Sequence, residues 1–119
     1  MEFQFDNERP IYIQLVQQLR IAVVSGDFAP GSRLPSVREL ALTAKVNPNT
    51  MQKALSELEG EGLVFTERTN GKFVTTDEGL LLRAKRALAQ GYADRFLGEM
   101  AQIGYDRAGA LSYLQDDLT

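Results

Sequence analysis

The chain of 119 residues is long enough for one domain, or for a small domain with an appended element. It contains no histidine and no cysteine, which removes the usual catalytic bases, nucleophiles and metal ligands and argues against an enzyme, a disulfide or a zinc site. The net charge is −3, and the sequence has neither a secretory leader nor a run of about 18 apolar residues, so we expect a cytoplasmic protein without a membrane span.

The chain begins with a segment predicted to be extended, followed by an amphipathic helix. Phe3 and Phe5 alternate onto one face of the extended segment. From Pro10 to Gly26, apolar residues recur at three- and four-residue spacing, which is typical of a helix with one buried face. Residues 29–32, Ala-Pro-Gly-Ser, are expected to form a type II turn. The apolar residues of the helix are Tyr12, Leu15, Leu19 and Ala22 or Val23.

Two helix-start signals lie close together in the next segment. Ser36 and Glu39 form a capping box, in which each side chain accepts a hydrogen bond from the other residue's backbone N–H. Asn47 is suited to cap a second helix, and Pro48 to its first position, where a missing N–H costs nothing. Two helices this close form a helix-turn-helix, which presents the start of its second helix to DNA. The predicted inward side chains are Val37, Leu40, Ala41, Met51, Ala54, Leu55 and Leu58.

A β-hairpin is predicted directly after the helix pair. Residues 63–66 and 72–75 have the composition of two short strands, and residues 69–71 form the tip between them. A helix-turn-helix followed by a hairpin is a winged helix. We therefore predict a fold that is mainly α with a small β-wing, in which the winged helix-turn-helix occupies residues 1–76.

The remaining residues, 77–119, are predicted to form a two-helix tail. A long helix is interrupted at Gly104, and a short one follows over residues 107–115 with Leu111 and Leu114 facing inward. Two such helices cannot enclose a core of their own, so we expect their apolar stripe to form a homodimer interface. Ordinary packing of the stripe on the winged helix is the alternative. The stripe comprises Leu81, Leu88, Tyr92, Phe96, Met100 and Ile103.

Charged residues are unevenly distributed along the predicted winged helix. Residues 33–53 carry four bases and one acid, whereas residues 57–61 carry three acids and no base. Because salt screens charges over about 8 Å, the local basic segment can attract DNA phosphates despite the acidic total.

An ordered series of short motifs connects these elements to a known family. The motifs are Pro10-Ile11-Tyr12, Gly26, Pro30-Gly31, Leu34-Pro35-Ser36, Arg38-Glu39-Leu40-Ala41, Val46-Asn47, Asn49-Thr50, Glu57-Leu58 and Glu61-Gly62-Leu63. On these motifs, residues 10–75 closely resemble the N-terminal winged helix of the GntR family of bacterial transcription regulators. The tail of about 44 residues is too short for the ligand-binding domains of larger subfamilies. It resembles the YtrA-type subfamily, whose helix pair serves dimerisation and whose members commonly repress operons that encode ABC transporters.

The resemblance implies DNA contacts on both helices of the pair and in the wing. Arg38 matches an arginine that reaches phosphate or a guanine edge, and Gly71 matches a wing glycine close to the minor groove. Asn, Gln and Thr at the start of the second helix suit adenine edges and phosphates. Lys45, Lys53 and Lys72 are better suited to non-specific phosphate contacts. The predicted DNA-binding residues are Ser36, Arg38, Lys45, Asn47, Asn49, Thr50, Gln52, Lys53, Gly71 and Lys72.

Two departures from the family's common pattern concern the wing and the second helix. Many relatives carry Gly-Lys-Gly-Thr-Phe in the wing, whereas residues 69–73 here read Thr-Asn-Gly-Lys-Phe. Pro48 stands where other subfamilies often have a basic residue. We therefore expect a less secure groove contact by the wing, and a relative's target sequence cannot be transferred to this chain.

The expected function is repression of transcription by a homodimer that binds an inverted repeat in double-stranded DNA, without a cofactor or a metal. A winged helix used only for protein–protein interaction is the alternative, because winged helices serve both purposes. A third hypothesis is a regulator whose unknown small-molecule effector binds between the tail helices. For Arg38, the structural alternative is a solvated side chain or an ion pair with Glu39 or Glu57.

Overall fold

The computed structural model describes residues 1–118. They divide into two compact units, the first ending at Ala84 and the second beginning at Lys85. The first unit holds the predicted winged helix, with three helices and a two-stranded antiparallel sheet, and the second holds most of the predicted helical tail. In chain order the elements are α1 (Ile11–Val24), α2 (Val37–Ala44), α3 (Pro48–Gly60), β1 (Val64–Glu67), β2 (Gly71–Val74), α4 (Glu78–Gln102), α5 (Arg107–Ser112) and a π-helical turn (Tyr113–Asp117).

The core of the first unit lies between α1, α2, α3 and the hairpin. The apolar stripe of α1 packs against the buried face of α3, and Leu15, Leu19 and Leu58 are at most 1% exposed. Burying a leucine in this way stabilises the fold by about 1.5–3 kcal/mol per side chain. The inward positions predicted for α2 and α3 are confirmed, and Val16 and Ala44 join them in the core.

Both helices of the pair begin where the capping signals place them. Ser36 Oγ accepts from the Glu39 N–H at 3.1 Å, and Glu39 Oε1 accepts from the Ser36 N–H at 3.4 Å. Asn47 caps α3, and Pro48 is the first helical residue. The type II turn is also confirmed, because Gly31 has a φ of 76° and the Ser32 N–H donates to the Ala29 carbonyl at 3.0 Å.

The N-terminal segment is held on α1 by two glutamine side chains. Gln14 is 2% exposed, and its Oε1 accepts from the Asp6 N–H at 2.9 Å. Gln14 Nε2 donates to the carbonyls of Asp6 at 3.0 Å and Arg9 at 2.8 Å. Gln18, one turn later, forms the same two kinds of bond with the backbone of Gln4. Phe3 and Phe5 share one face as predicted, with ring centroids 6.1 Å apart, and both pack on the core.

The wing differs from its prediction by one residue at each strand. Phe65 lies opposite Phe73, and Glu67 lies opposite Gly71, so residues 68–70 form the connection. Gly71 is therefore the first residue of β2 rather than part of the tip. A third segment of the chain also pairs with β2, because Arg33 forms an isolated antiparallel bridge with Phe73.

The first turns of α4 belong to the core of the first unit. Leu80, Leu81 and Ala84 are half-buried and pack against that core. Leu81 of the predicted dimer stripe thus packs within the chain, as in the alternative that the sequence left open. The domain division at residues 76 and 77 remains a prediction.

The second unit has little buried surface of its own. Ala110 is fully buried, and the rings of Tyr105 and Tyr113 meet edge to face at 5.9 Å. The prediction that Leu111 and Leu114 face inward is wrong, since they are 46% and 38% exposed. Ala110 and Tyr113 occupy the inner side instead, and Leu114 lies in a π-helical turn that begins after α5 ends at Ser112, where α-helical spacing no longer applies.

Candidate nucleic-acid interface

The start of α3 presents polar side chains to solvent, while its other face enters the core. Asn47 Oδ1 accepts from the Asn49 backbone N–H at 2.8 Å and fixes the first turn. The side chains of Asn49, Gln52 and Lys53 are exposed, and Thr50 is half-buried. This face therefore offers amides, a hydroxyl and an ammonium, the groups that bind base edges and phosphates. The opposite face is buried through Met51, Ala54, Leu55 and Leu58.

Arg38 projects from α2 and is exposed. The ion pairs considered from the sequence are not formed, because each carboxylate has a different partner. Glu39 accepts from the Ser36 N–H at 3.4 Å, and Glu57 Oε2 accepts from the Tyr12 hydroxyl at 2.8 Å. Within residues 1–118, Arg38 has no acidic partner and is available for a phosphate or a guanine.

Lys45 forms the turn between α2 and α3. Its backbone is left-handed, with a φ of 59°, which is uncommon for a residue other than glycine. Its N–H donates to the Leu42 carbonyl at 3.3 Å, and its side chain is exposed. Lys45 lies two residues before Asn47, the cap of α3. Because helix N-termini favour anions, a phosphate contact by its ammonium is expected there.

Within the first unit, most basic side chains without an acidic partner lie on the elements around α3. In the part of the chain that the structure describes, α2, the turn after it, α3 and the segments beside the wing carry five such residues. In contrast, Arg9 pairs with Asp6 at 3.3 Å, and Arg20 pairs with Glu61. The five are Arg33, Arg38, Lys45, Lys53 and Arg68.

Two carboxylates at the end of α3 are engaged by side chains of α1. Arg20 donates to both carboxylate oxygens of Glu61, at 2.9 and 2.5 Å, and this pair raises the pKa of the guanidinium. The hydrogen bond from Tyr12 to Glu57 raises the pKa of the phenol. Arg20 offsets the charge of Glu61. Glu57 keeps its charge beside the neutral phenol, but it lies about 15 Å along the helix from Asn47, so salt screens its effect at that end of α3.

Lys72 is directed at a carboxylate within the chain. Its Nζ donates to Thr66 Oγ1 at 3.0 Å and lies 3.7 Å from Glu59 Oε1, and its side chain is 14% exposed. Thr66 also donates to Glu59. This arrangement ties the wing to α3 and counts against the phosphate contact expected of Lys72.

Gly71 has a neighbour that the motifs did not indicate. A Cβ on this residue, whose φ is 97°, would lie 3.2 Å from Arg33 Nε. Arg33 and Arg68 both line a cleft of about 280 Å³ between the wing and the start of α2. Sequence reasoning counted Arg33 among the local bases without assigning it a contact, and Arg68 gave no signal, because only the hairpin brings it to the cleft.

Two further kinds of feature, a membrane span and a metal site, are absent from residues 1–118. No helix there combines the length and hydropathy that a membrane span needs. No cluster of acidic side chains within residues 1–118 is arranged to hold a metal ion.

Known proteins resemble this chain along most of its length. The family described as "Bacterial regulatory proteins, gntR family" matches residues 11–74. An uncharacterized HTH-type transcriptional regulator of Bacillus subtilis, YhcF, is 38% identical over 104 residues, which cover 87% of this chain and 86% of YhcF. The HTH-type transcriptional repressor YtrA of the same organism is 38% identical over 97 residues, covering 82% of this chain and 70% of YtrA.

The fold has a similarly close counterpart among solved structures. A GntR family transcriptional regulator from Listeria monocytogenes superimposes with a TM-score of 0.86 and 33% sequence identity. The match covers 93% of this chain and 97% of that protein, including both the winged helix and the helical tail.

Proposed function

Because this chain belongs to the GntR family and is a DNA-binding transcriptional regulator rather than an enzyme, we propose that it represses transcription as a homodimer on an inverted-repeat operator. The observation that carries the proposal is the exposed polar face of α3, which lies beside unpaired basic residues while the acids at its far end are engaged. The name of YtrA, a transcriptional repressor, supports repression. A transporter operon is the proposed target, by the YtrA-type resemblance.

In the proposed complex, α3 enters the major groove with its first two turns. Arg38 and Gln52 read base edges, since guanidinium and amide groups form bidentate pairs with guanine and adenine. Gln52 Nε2 donates to Ser56 Oγ at a long 3.3 Å, a bond that a base can replace. Asn47 and Asn49 lie at the same end of α3. Phosphate contacts come from Ser36, Lys45, Thr50 and Lys53.

The wing completes the contact beside the major groove. Gly71, at the start of β2, is proposed to lie near the flanking minor groove. In a two-fold dimer, two copies of α3 would enter successive major grooves, with half-site centres about 34 Å apart.

The helical tail is proposed to hold the two copies together. Tyr92 on α4 is 50% exposed, and Ile103, directly after the end of α4, is 72% exposed, although both belong to the predicted apolar stripe. Leu88, Phe96 and Met100 are half-buried. A helix with this much uncovered apolar surface gains free energy by packing, and a second copy provides a complementary stripe.

The proposal is tested by selecting duplexes from a random DNA library at physiological salt and measuring the mass of the complex. We expect an inverted repeat to be enriched, with two chains per duplex. Failure to enrich any sequence would contradict specific DNA binding and favour a protein-interaction module.

Single substitutions connect the result to the interface. Arg38→Ala and Gln52→Ala are each expected to weaken binding to the selected duplex by about 5- to 150-fold, which corresponds to about 1–3 kcal/mol per base contact. Arg83→Ala is the matched control, because Arg83 is exposed and lies on α4. If both variants bind as the control does, the α3 interface is wrong.

The dimer is tested independently of DNA. Tyr92→Asp places a carboxylate on the apolar stripe and is expected to yield a monomer by light scattering. Ala87→Asp is the control, because its spacing places residue 87 on the opposite face of α4. Equal masses for the two variants would contradict dimerisation through α4.

A further inference from the structure

We propose that Arg33 and Arg68 together bind one phosphate of the DNA backbone in the cleft between the wing and the start of α2. This inference rests on the proposed function and adds to it a contact that neither α3 nor the resemblance assigns. The ligand group is a backbone phosphate, so the contact strengthens binding to every sequence and reads none.

The cleft has the composition that a phosphate requires. Its volume is about 280 Å³, and both arginines line it together with the hydroxyl-bearing residues Ser36 and Thr69. Neither arginine has an acidic partner within residues 1–118. Planar guanidinium groups bind phosphate in a bidentate manner, and hydroxyls can add further bonds.

One carboxylate lines the same cleft and has to be accounted for. Glu67 Oε2 accepts from Asn70 Nδ2 at 3.1 Å. Lys72, the third base lining the cleft, is paired with Glu59. The charges of Lys72 and Glu59 offset each other. Arg33 and Arg68 then outnumber Glu67 in the cleft, so an anion is still attracted.

Arg33 is held in place by backbone on both sides. Its own backbone forms a bridge with Phe73, and the next N–H, of Leu34, donates to the Lys72 carbonyl at 2.8 Å. Leu34 itself is 4% exposed and anchors the segment in the core. The arginine backbone is therefore fixed before DNA arrives, which lowers the entropic cost of the contact.

Gly71 leaves the space in which the guanidinium lies. A Cβ there would stand 3.2 Å from Arg33 Nε and 3.4 Å from Nη2, closer than ordinary side-chain contacts. Arg33 thus lies across the start of β2. This gives the wing glycine a second role: it makes room for a phosphate-binding arginine as well as for the approach of the wing to DNA.

The experiment compares two duplexes, the inverted repeat selected from the random library and a scrambled duplex of the same composition. Arg33→Ala and Arg68→Ala are each expected to weaken binding to both duplexes by a similar factor, about tenfold for one charge-assisted contact. The double variant should be little weaker than either single variant, because both arginines hold the same phosphate. In the double variant, the slope of log K against log salt should fall by about one.

Two controls separate binding from folding. Arg83→Ala removes one exposed positive charge from α4 and should leave both affinities unchanged. The side chain of Arg68 is exposed and forms no hydrogen bond within residues 1–118. Unlike Arg33, it does not pack on Gly71, so an effect of Arg68→Ala on DNA binding cannot be attributed to lost packing there. Equal thermal unfolding midpoints for wild type and Arg68→Ala verify this.

The outcomes distinguish the inference from the function on which it rests. If the wild type binds the selected duplex and both arginine variants match Arg83→Ala, the phosphate site is wrong and the repressor proposal survives. If the loss is confined to the selected duplex, the arginines read bases, and the phosphate assignment is overturned. If the wild type binds neither duplex, the proposed function itself fails.

Discussion

The ammonium of Lys72 lies 3.7 Å from Glu59 Oε1 and donates to Thr66 Oγ1 at 3.0 Å. Lys72 and Thr66 lie on opposite strands of the wing, whereas Glu59 lies in the last turn of α3. The three side chains therefore tie the outer half of the wing to the helix that is proposed to read DNA. In the proposed complex, a wing held in this way would meet the groove at an angle set by α3.

Lys72→Met and Glu59→Gln should show that Lys72 stabilises the wing through its ion pair with Glu59 and does not bind a DNA phosphate. Because the pair is partly buried, we expect a coupling free energy of about 1 kcal/mol in a double-mutant cycle of urea unfolding. If Lys72 acts as a tie, both variants lower affinity for the selected duplex and leave its salt slope unchanged. If Lys72 instead neutralises a phosphate, Lys72→Met alone lowers the slope, by about one.

Gly71→Ala should destabilise the wing. At a φ of 97° a Cβ is strained, and it would also press on Arg33 Nε at 3.2 Å, so we expect a loss of about 1–2 kcal/mol in the free energy of unfolding. Gly98→Ala is the control, since this glycine lies inside α4 with open space around its Cβ position. There alanine should stabilise the helix by about 0.5–1 kcal/mol. A neutral Gly71→Ala would show that the wing relaxes freely.

The sequence predicted the elements whose determining contacts are local. The cap by Ser36 and Glu39, the cap by Asn47 and the turn at Gly31 all depend on bonds that span two or three residues. Side-chain chemistry and spacing alone specify such bonds. The position of α3, and with it the exposed face of the interface, follows from them.

Contacts between residues distant in the chain could not be obtained in the same way. Lys72 pairs with Glu59, which is 13 residues away on another element. Because the sequence does not show this pair, it predicts a DNA contact for the Lys72 ammonium. Arg33 meets Gly71 only after the hairpin closes. α-Helical spacing predicts that Leu111 and Leu114 face inward, but Ala110 takes the inner position within α5, and Leu114 lies in the π-helical turn, to which that spacing does not apply.

Gln14→Leu should release the N-terminal segment from α1. The substitution removes one acceptor and two donor bonds from a buried amide, and we expect a loss of about 1–3 kcal/mol in the free energy of unfolding. Hydrogen exchange at the Asp6 amide should accelerate to the rate of an exposed group. Gln17→Leu is the control, since Gln17 Oε1 accepts only a long 3.4 Å bond from Arg9. Unchanged protection at Asp6 would mean that the stacked Phe3 and Phe5 hold the segment without the amide.

Stability at high pH should depend on the hydrogen bond between Tyr12 and Glu57. The phenol donates to the carboxylate at 2.8 Å, and this hydrogen bond raises the pKa of the phenol above its ordinary value. A group whose pKa is raised on folding stabilises the fold fully below its unfolded pKa and loses that contribution as pH rises through the folded pKa. The phenol is largely solvated, so the contribution at neutral pH should be below about 1 kcal/mol. Urea unfolding should show wild type more stable than Tyr12→Phe at pH 8, with the difference lost as the pH rises through the raised pKa of the phenol. Tyr105→Phe, which removes a hydroxyl without that carboxylate partner, should show no such convergence. If the difference for Tyr12→Phe persists after the phenol has ionised, the hydroxyl is not what the carboxylate stabilises.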